Sequence, residues 1–200
     1  MRAGLAEFRT KSNKPLNLNF FCHAVPTEDV AREQAWLKRL ATYYTEFKAE
    51  TPALPLKAGL QPIGEETCAL VEDLRPAVAS FHLGLPAQEL LARVKSAGCK
   101  VIASATSVKE AIWLAKRGVD AVIAQGAEAG GHRSMFLETD VAAQIGTFAL
   151  VTQVVDAIQV PVIAAGRTAD ARGTAPAFAL GAAGVQIGTA YLRCPRGAYL

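Results

Sequence analysis

The chain has 200 residues, 51% hydrophobic and 20% charged, with a formal net charge of +3. That composition suits one globular domain with a sizeable core, and the charge is spread along the chain without the basic block that nucleic acid would call for. The apolar runs end well before the ~20 residues of a membrane span, residues 1–10 lack the continuous apolar stretch of a secretory signal, and Cys22, Cys68, Cys99 and Cys194 form no C-x-x-C pair, so reduced thiols in a cytoplasmic protein are expected.

Residues 5–10 read as the tail of a helix, and 16–21 as a strand in which Asn17 and Asn19 alternate with Leu16, Leu18 and Phe20. Residues 28–49 form a long amphipathic helix. Its Trp36, Leu37, Leu40, Tyr43, Tyr44 and Phe47 recur at helical spacing, as core or interface residues do. Residues 51–65 read as a loop from their prolines and glycines.

From there strands and helices alternate. Strands are expected at 77–83, 100–105, 119–124, 160–165 and 184–187, and helices at 87–97, 108–117, 148–158 and 170–180, several of them stopped by Gly98, Gly118 or Gly181. Repeated strand–helix–strand units mean right-handed crossovers and a parallel sheet. No G-x-G-x-x-G follows a strand, which argues against a dinucleotide-binding sheet. A TIM (β/α)8 barrel is the better expectation, although ~250 residues is typical for eight units.

The chemistry is expected at the strand ends. Asp120-Ala-Val-Ile-Ala124 runs into Gln125-Gly-Ala-Glu-Ala-Gly-Gly-His132. This puts an imidazole, a group able to give and take protons, in a glycine loop at the rim of the sheet. Gly166-Arg167 and Gly188-Thr189 end the last two strands, where barrels commonly bind phosphate through backbone N–H groups, with the helix at 170–180 pointing its N-terminus at the anion. Gln125, Gln186 and Asn19 either contact a ring edge or form an internal polar network. His23 and His82 near strand ends are candidate pocket residues, Glu128 either orients His132 or faces solvent, and three histidines without acidic or thiol partners at ligand spacing do not make a metal site.

These segments resemble the nitronate monooxygenase (2-nitropropane dioxygenase) family. Gln125–His132, Pro161-Val-Ile-Ala-Ala-Gly166 and Ala182-Ala-Gly-Val-Gln-Ile-Gly-Thr189 carry the resemblance. Asn17-Leu-Asn-Phe-Phe-Cys-His23-Ala-Val-Pro26 and Ser80-Phe-His82-Leu-Gly-Leu-Pro86 are similar to strand motifs of its class I branch. The resemblance runs from Leu5 to Pro195 and implies a TIM barrel holding FMN non-covalently, in a single domain over residues 1–200. It implies that Asn19 and Gln125 contact the isoalloxazine. Gly130, Gly166, Arg167, Gln186, Ile187, Gly188 and Thr189 would hold the flavin edge and phosphate, with His23 and His82 in the substrate pocket. His132 would be the base that takes a proton from carbon when the substrate is a neutral nitroalkane. The implied reaction is oxidation of a nitronate, propionate 3-nitronate for this branch, by oxygen to a carbonyl compound and nitrite.

Two departures bear on these expectations. The family usually has Gly-Gly after its seventh strand. Here Arg167 stands second, where a positive φ would be costly and the side chain either adds charge to the phosphate or blocks it. The six strands correspond to strands three to eight of the family barrel, so the chain reads as a fragment or mis-started product with exposed sheet edges and weak FMN binding. Two other readings stay open. A flavin-dependent enoyl-acyl-carrier-protein reductase shares the glycine–histidine and phosphate stretches but not the Asn-Phe-Phe-Cys-His segment. A non-catalytic partial barrel would instead bind a partner through its edges, and an oligomer stays open in either case.

Overall fold

The structure, a computed structural model, describes residues 2–55, 59 and 61–194; part of the loop expected at 51–65, and Pro195, lie outside them. The elements in chain order are α1 Arg2–Lys11, β1 Asn17–Phe21, α2 Val30–Glu46, α3 Glu65–Leu74, β2 Val78–His82, α4 Gln88–Ser96, β3 Lys100–Ala105, α5 Val108–Lys116, β4 Ala121–Gln125, α6 Thr147–Ala157, β5 Val162–Ala165, α7 Ala171–Ala179 and β6 Gly184–Gln186. The six strands form one sheet in the order β1-β2-β3-β4-β5-β6, every neighbouring pair parallel.

That order decides the fold. A doubly wound sheet reverses its winding at a switch point and carries helices on both faces. Here each crossover steps to the next strand in the same direction. Right-handed crossovers that all step one way put the helices packed on the sheet on one face, and the twisted sheet curls with its bare face inward. The result is a curled half-barrel, six strands of the TIM-barrel architecture.

The register sorts the side chains. Ala79, Phe81, Val101, Ala103, Ala105, Val122, Ala124, Val162 and Ala164 share the helix-side face and are buried with Cys68, Val71, Leu91, Val94, Ala111, Leu114, Leu150, Val151 and Val154 of the helices. The opposite face carries Asn19, Ser80 and Ile102 in one row, and Gln125, Ala165 and Gln186 in another nearer the strand ends. The apolar face thus drives folding, and the polar positions line the concave side.

Residues 24–62 form a separate compact unit containing α2. Asp29 caps that helix by accepting from the Arg32 amide at 2.9 Å. None of its residues is buried, and Trp36, Tyr43 and Phe47 are 53%, 56% and 72% exposed. Of the two roles expected for the stripe, core or interface, this overturns the first. A single helix with one connecting segment offers its own stripe nothing to pack against.

Helix α3 was not expected from the sequence. Only Cys68 and Val71 of it are buried, and the run of prolines and glycines before it reads as loop. The helix expected at 170–180 carries its N-cap on Asp170, whose carboxylate accepts from the Arg172 amide at 2.9 Å. One amide of the N-terminus expected to face an anion is thus taken by the chain's own carboxylate.

Candidate active site at the strand ends

Two adjoining cavities lie at the C-terminal ends of the strands, where TIM-barrel enzymes build their active sites. The larger, about 580 Å3, is lined by Gln125 and the loop residues Glu128–Gly131, by Ala165–Ala169 after β5, and by Gln186–Ala190 with Leu192 after β6. The smaller, about 470 Å3, is lined by Asn17, Asn19, Phe21, Ser80, His82, Ser104, Ile123 and His132 on the concave face. Gln125, Gly130, Gln186, Ile187 and Gly188 border both.

The glycine–histidine loop is held from several sides. Gln125 reaches back from the end of β4: its Nε2–H donates to the His132 carbonyl at 2.9 Å, and its Oε1 accepts from the Ser134 amide at 2.8 Å. The His82 Nε2 approaches the same His132 carbonyl at 2.9 Å, while its Nδ1 lies 3.2 Å from the Ser104 hydroxyl. This pattern sets the tautomer: Nε2 carries the proton and Nδ1 accepts. Arg133 donates to the carbonyls of Gly126, Ala127 and Ala129 at 2.8–2.9 Å. Ser134, fully buried, accepts from the Leu83 amide at 3.0 Å.

The loop thereby projects the His132 side chain. Its ring is exposed and meets Phe21 edge-on at 5.1 Å between centroids, and among the described residues neither ring nitrogen is hydrogen-bonded. Phe21 also meets His82 at 5.7 Å and His23 at 6.1 Å. Sequence reasoning missed this residue, although its alternation with Asn17 and Asn19 places it on the same face. His23 touches Phe21 but does not line either cavity.

Burial lowers the His82 pKa, with the charges of His132 and Arg133 acting in the same direction and its backbone hydrogen bond to His132 opposing them. His82 is therefore a neutral donor at pH 7. Asn19 accepts from the Ser80 hydroxyl at 2.8 Å and lines the smaller cavity. Both polar ends of Gln125 hold the loop, which leaves one amide N–H for a ligand. Glu128 does not orient His132; it is exposed, as one of its two expected readings had it, but its Oε2 accepts from the Thr147 amide and hydroxyl, each at 2.8 Å, at the start of α6. Burial alone would raise its carboxyl, but the hydrogen bonds it accepts and the Arg167 charge together hold it below the usual range.

The larger cavity is a cradle of backbone. Gly166 has φ 117, and a Cβ there would overlap the Thr147 hydroxyl; a Cβ on Gly130 would overlap that of Thr189. Gly188 faces open space. The N–H groups of Gly166, Arg167, Thr168 and Gly188 donate to no described residue. Arg167 takes φ 52, the left-handed conformation that is costly for it. Uncommitted amides, glycines and one cation make a donor set suited to a phosphate group.

The sequence profile of the nitronate monooxygenase family matches residues 1–196. The chain belongs to the nitronate monooxygenase family. It is 40% identical over 194 residues to the nitronate monooxygenase of Paraburkholderia phytofirmans, an alignment covering 96% of this chain and 53% of that one. It is 42% identical over 196 residues to the nitronate monooxygenase of Pseudomonas aeruginosa, covering 97% and 56%. The chain thus spans about half the length of the curated relatives it matches. Among solved structures, nitroalkane oxidase from Streptomyces ansochromogenes superposes with a TM-score of 0.84 at 32% identity, over 96% of this chain and 55% of that one. FabK from Thermotoga maritima superposes with a TM-score of 0.64 at 29% identity, over 96% and 46%. The nitronate monooxygenase assignment agrees with the resemblance in the glycine–histidine loop and confirms the incomplete TIM barrel.

Proposed function

We propose that this chain carries the FMN-binding and proton-transfer parts of a nitronate-oxidising site, for the oxidation of alkyl nitronates by oxygen to a carbonyl compound and nitrite. One observation carries the reading: the uncommitted amides of Gly166–Thr168 and Gly188 border a cavity that adjoins the His132 ring. The residues present fit FMN. The glycine-lined cavity and Arg167 suit its phosphate, Gln186, Ile187 and Thr189 its connecting chain, and Gln125, Asn19 and Gly130 the edge of its ring. When bound, FMN supplies a redox ring able to accept electrons from a nitronate.

The protein residues do the rest. His132, with its ring nitrogens free, is placed to remove a proton from the carbon of a neutral nitroalkane, the step that makes the oxidisable anion. A substrate supplied as the nitronate needs no such step. His82, neutral and doubly engaged, holds the His132 carbonyl, and Phe21 limits the rotation of the His132 ring. Propionate 3-nitronate is the expected substrate, and Phe21, Ser80 and Asn17 bound the space it would occupy.

The test is a visible-absorbance titration of the chain with FMN, followed by oxygen uptake with propionate 3-nitronate and with a neutral nitroalkane. A perturbed flavin spectrum and nitronate-dependent uptake are expected. His132→Asn is expected to lower neutral nitroalkane turnover by about 100-fold or more and to leave nitronate turnover within a few-fold. An unperturbed spectrum at saturating FMN would sink the reading for this chain. Equal losses on both substrates would remove the proton-transfer role from His132.

A further inference from the structure

Arg167 combines two features that ordinarily exclude each other. Its backbone sits at φ 52, a conformation glycine takes freely and an L side chain takes at a cost. Its guanidinium, among the described residues, makes no ion pair, hydrogen bond or ring contact. The other arginines near charged or polar groups are committed: Arg93 to Glu65 and Glu72, Arg133 to three loop carbonyls, Arg172 to Asp170. Among the described residues only the Glu128 carboxylate feels its charge, and no direct contact repays the strained backbone at residue 167.

The position explains what does. Arg167 lines the larger cavity together with Gly166, Thr168 and Gly188, whose N–H groups are uncommitted. Its charge is felt by Glu128, which lines the same cavity. Neutral hydroxyls would be served by the amides alone. A cation added to them discriminates by charge, because a guanidinium gains most from a doubly charged, multi-oxygen acceptor.

We propose that Arg167 makes this cavity select a flavin bearing a phosphate monoester over the same flavin without it, and that the fold gives up stability for that selectivity. The proposal rests on the flavin reading above. It predicts an opposite effect of one substitution on ligand affinity and on stability, which a surface arginine would not produce.

The experiment is a fluorescence titration of the full chain with FMN and with riboflavin, at low and high salt, for the unsubstituted chain, Arg167→Gly and Arg167→Lys. Thermal melts without ligand accompany it. FMN is expected to bind more tightly than riboflavin, and more so at low salt. Arg167→Gly is expected to weaken FMN by about tenfold or more, to leave riboflavin unchanged, and to raise Tm by about 2–4 °C. Arg167→Lys is expected to keep the salt dependence and lose part of the preference. If Arg167→Gly binds both flavins as the parent does, the selectivity role is overturned while the flavin reading stands. An unchanged or lower Tm overturns the stability half. If neither flavin binds the parent chain, the flavin reading falls, and this proposal with it.

Discussion

His82 illustrates how a titratable residue at an active-site rim can serve without titrating. Its Nε2–H holds the His132 carbonyl and its Nδ1 accepts from Ser104. Protonation would turn Nδ1 into a donor and require the Ser104 hydroxyl to turn away. Because its folded pKa lies below the unfolded value of about 6.5, the unfolded chain takes up this proton more readily. The stability it contributes is present above about pH 6.5 and is lost as pH falls through the lower folded value. Urea unfolding at stepped pH is expected to show this loss, and His82→Gln to flatten it. If the variant keeps the full pH slope, another group is responsible. The glycines made His132 legible in the sequence, since two of them directly before a histidine just past a strand end leave little else for it to do. The work of His82, Gln125 and Arg133 was not legible: their partners are backbone carbonyls and amides that only the folded loop presents.

At the scale of elements, two carboxylates fasten the loops. Glu128 joins the glycine–histidine loop to the start of α6. Glu110, fully buried, accepts from the Thr106 amide and hydroxyl and from the Phe136 and Leu137 amides at 2.7–3.0 Å, tying the turn before α5 to the chain beyond the histidine loop. Removing its oxygens would strand four donors, the two on Thr106 buried and the Phe136 and Leu137 amides half-buried. Glu110→Ala is expected to cost about 3 kcal/mol or more of unfolding free energy, measured in denaturant. Glu110→Gln is expected to be damaging too, because an amide NH2 replaces one acceptor; a loss under 1 kcal/mol would mean the segment can detach without consequence. Strands and most helices were readable to within a few residues from apolar runs and glycine stops. Helix α3 was not, with only two buried positions, nor was the Asp170 cap that takes an amide at the start of α7.

Across the whole molecule, the consecutive strand order grades protection. All five residues of β4 are buried and it is paired on both sides, whereas β1 and β6 are paired on one side and β6 has no buried residue. Native-state hydrogen exchange is expected to be slowest in β3 and β4 and fastest in β6. Uniform exchange across the sheet would contradict that gradient. The barrel was legible as a rhythm of strands and helices without a dinucleotide fingerprint. What the rhythm could not show was that the aromatic stripe of α2 lies exposed in its own unit, since periodicity marks a face without saying what covers it.

The register also dictates an order of assembly. Asn19 pairs with Ser80, 61 residues on, across the whole unit that carries α2, whereas Ile102 pairs with Ala121, 19 residues on. Closing the longer loop costs about 1 kcal/mol more in chain entropy, and it adds the strand that brings Asn19 and Phe21 to the rim. The β2–β3–β4 core can therefore form without β1. The wall that presents Phe21 to the histidines is the late arrival in folding.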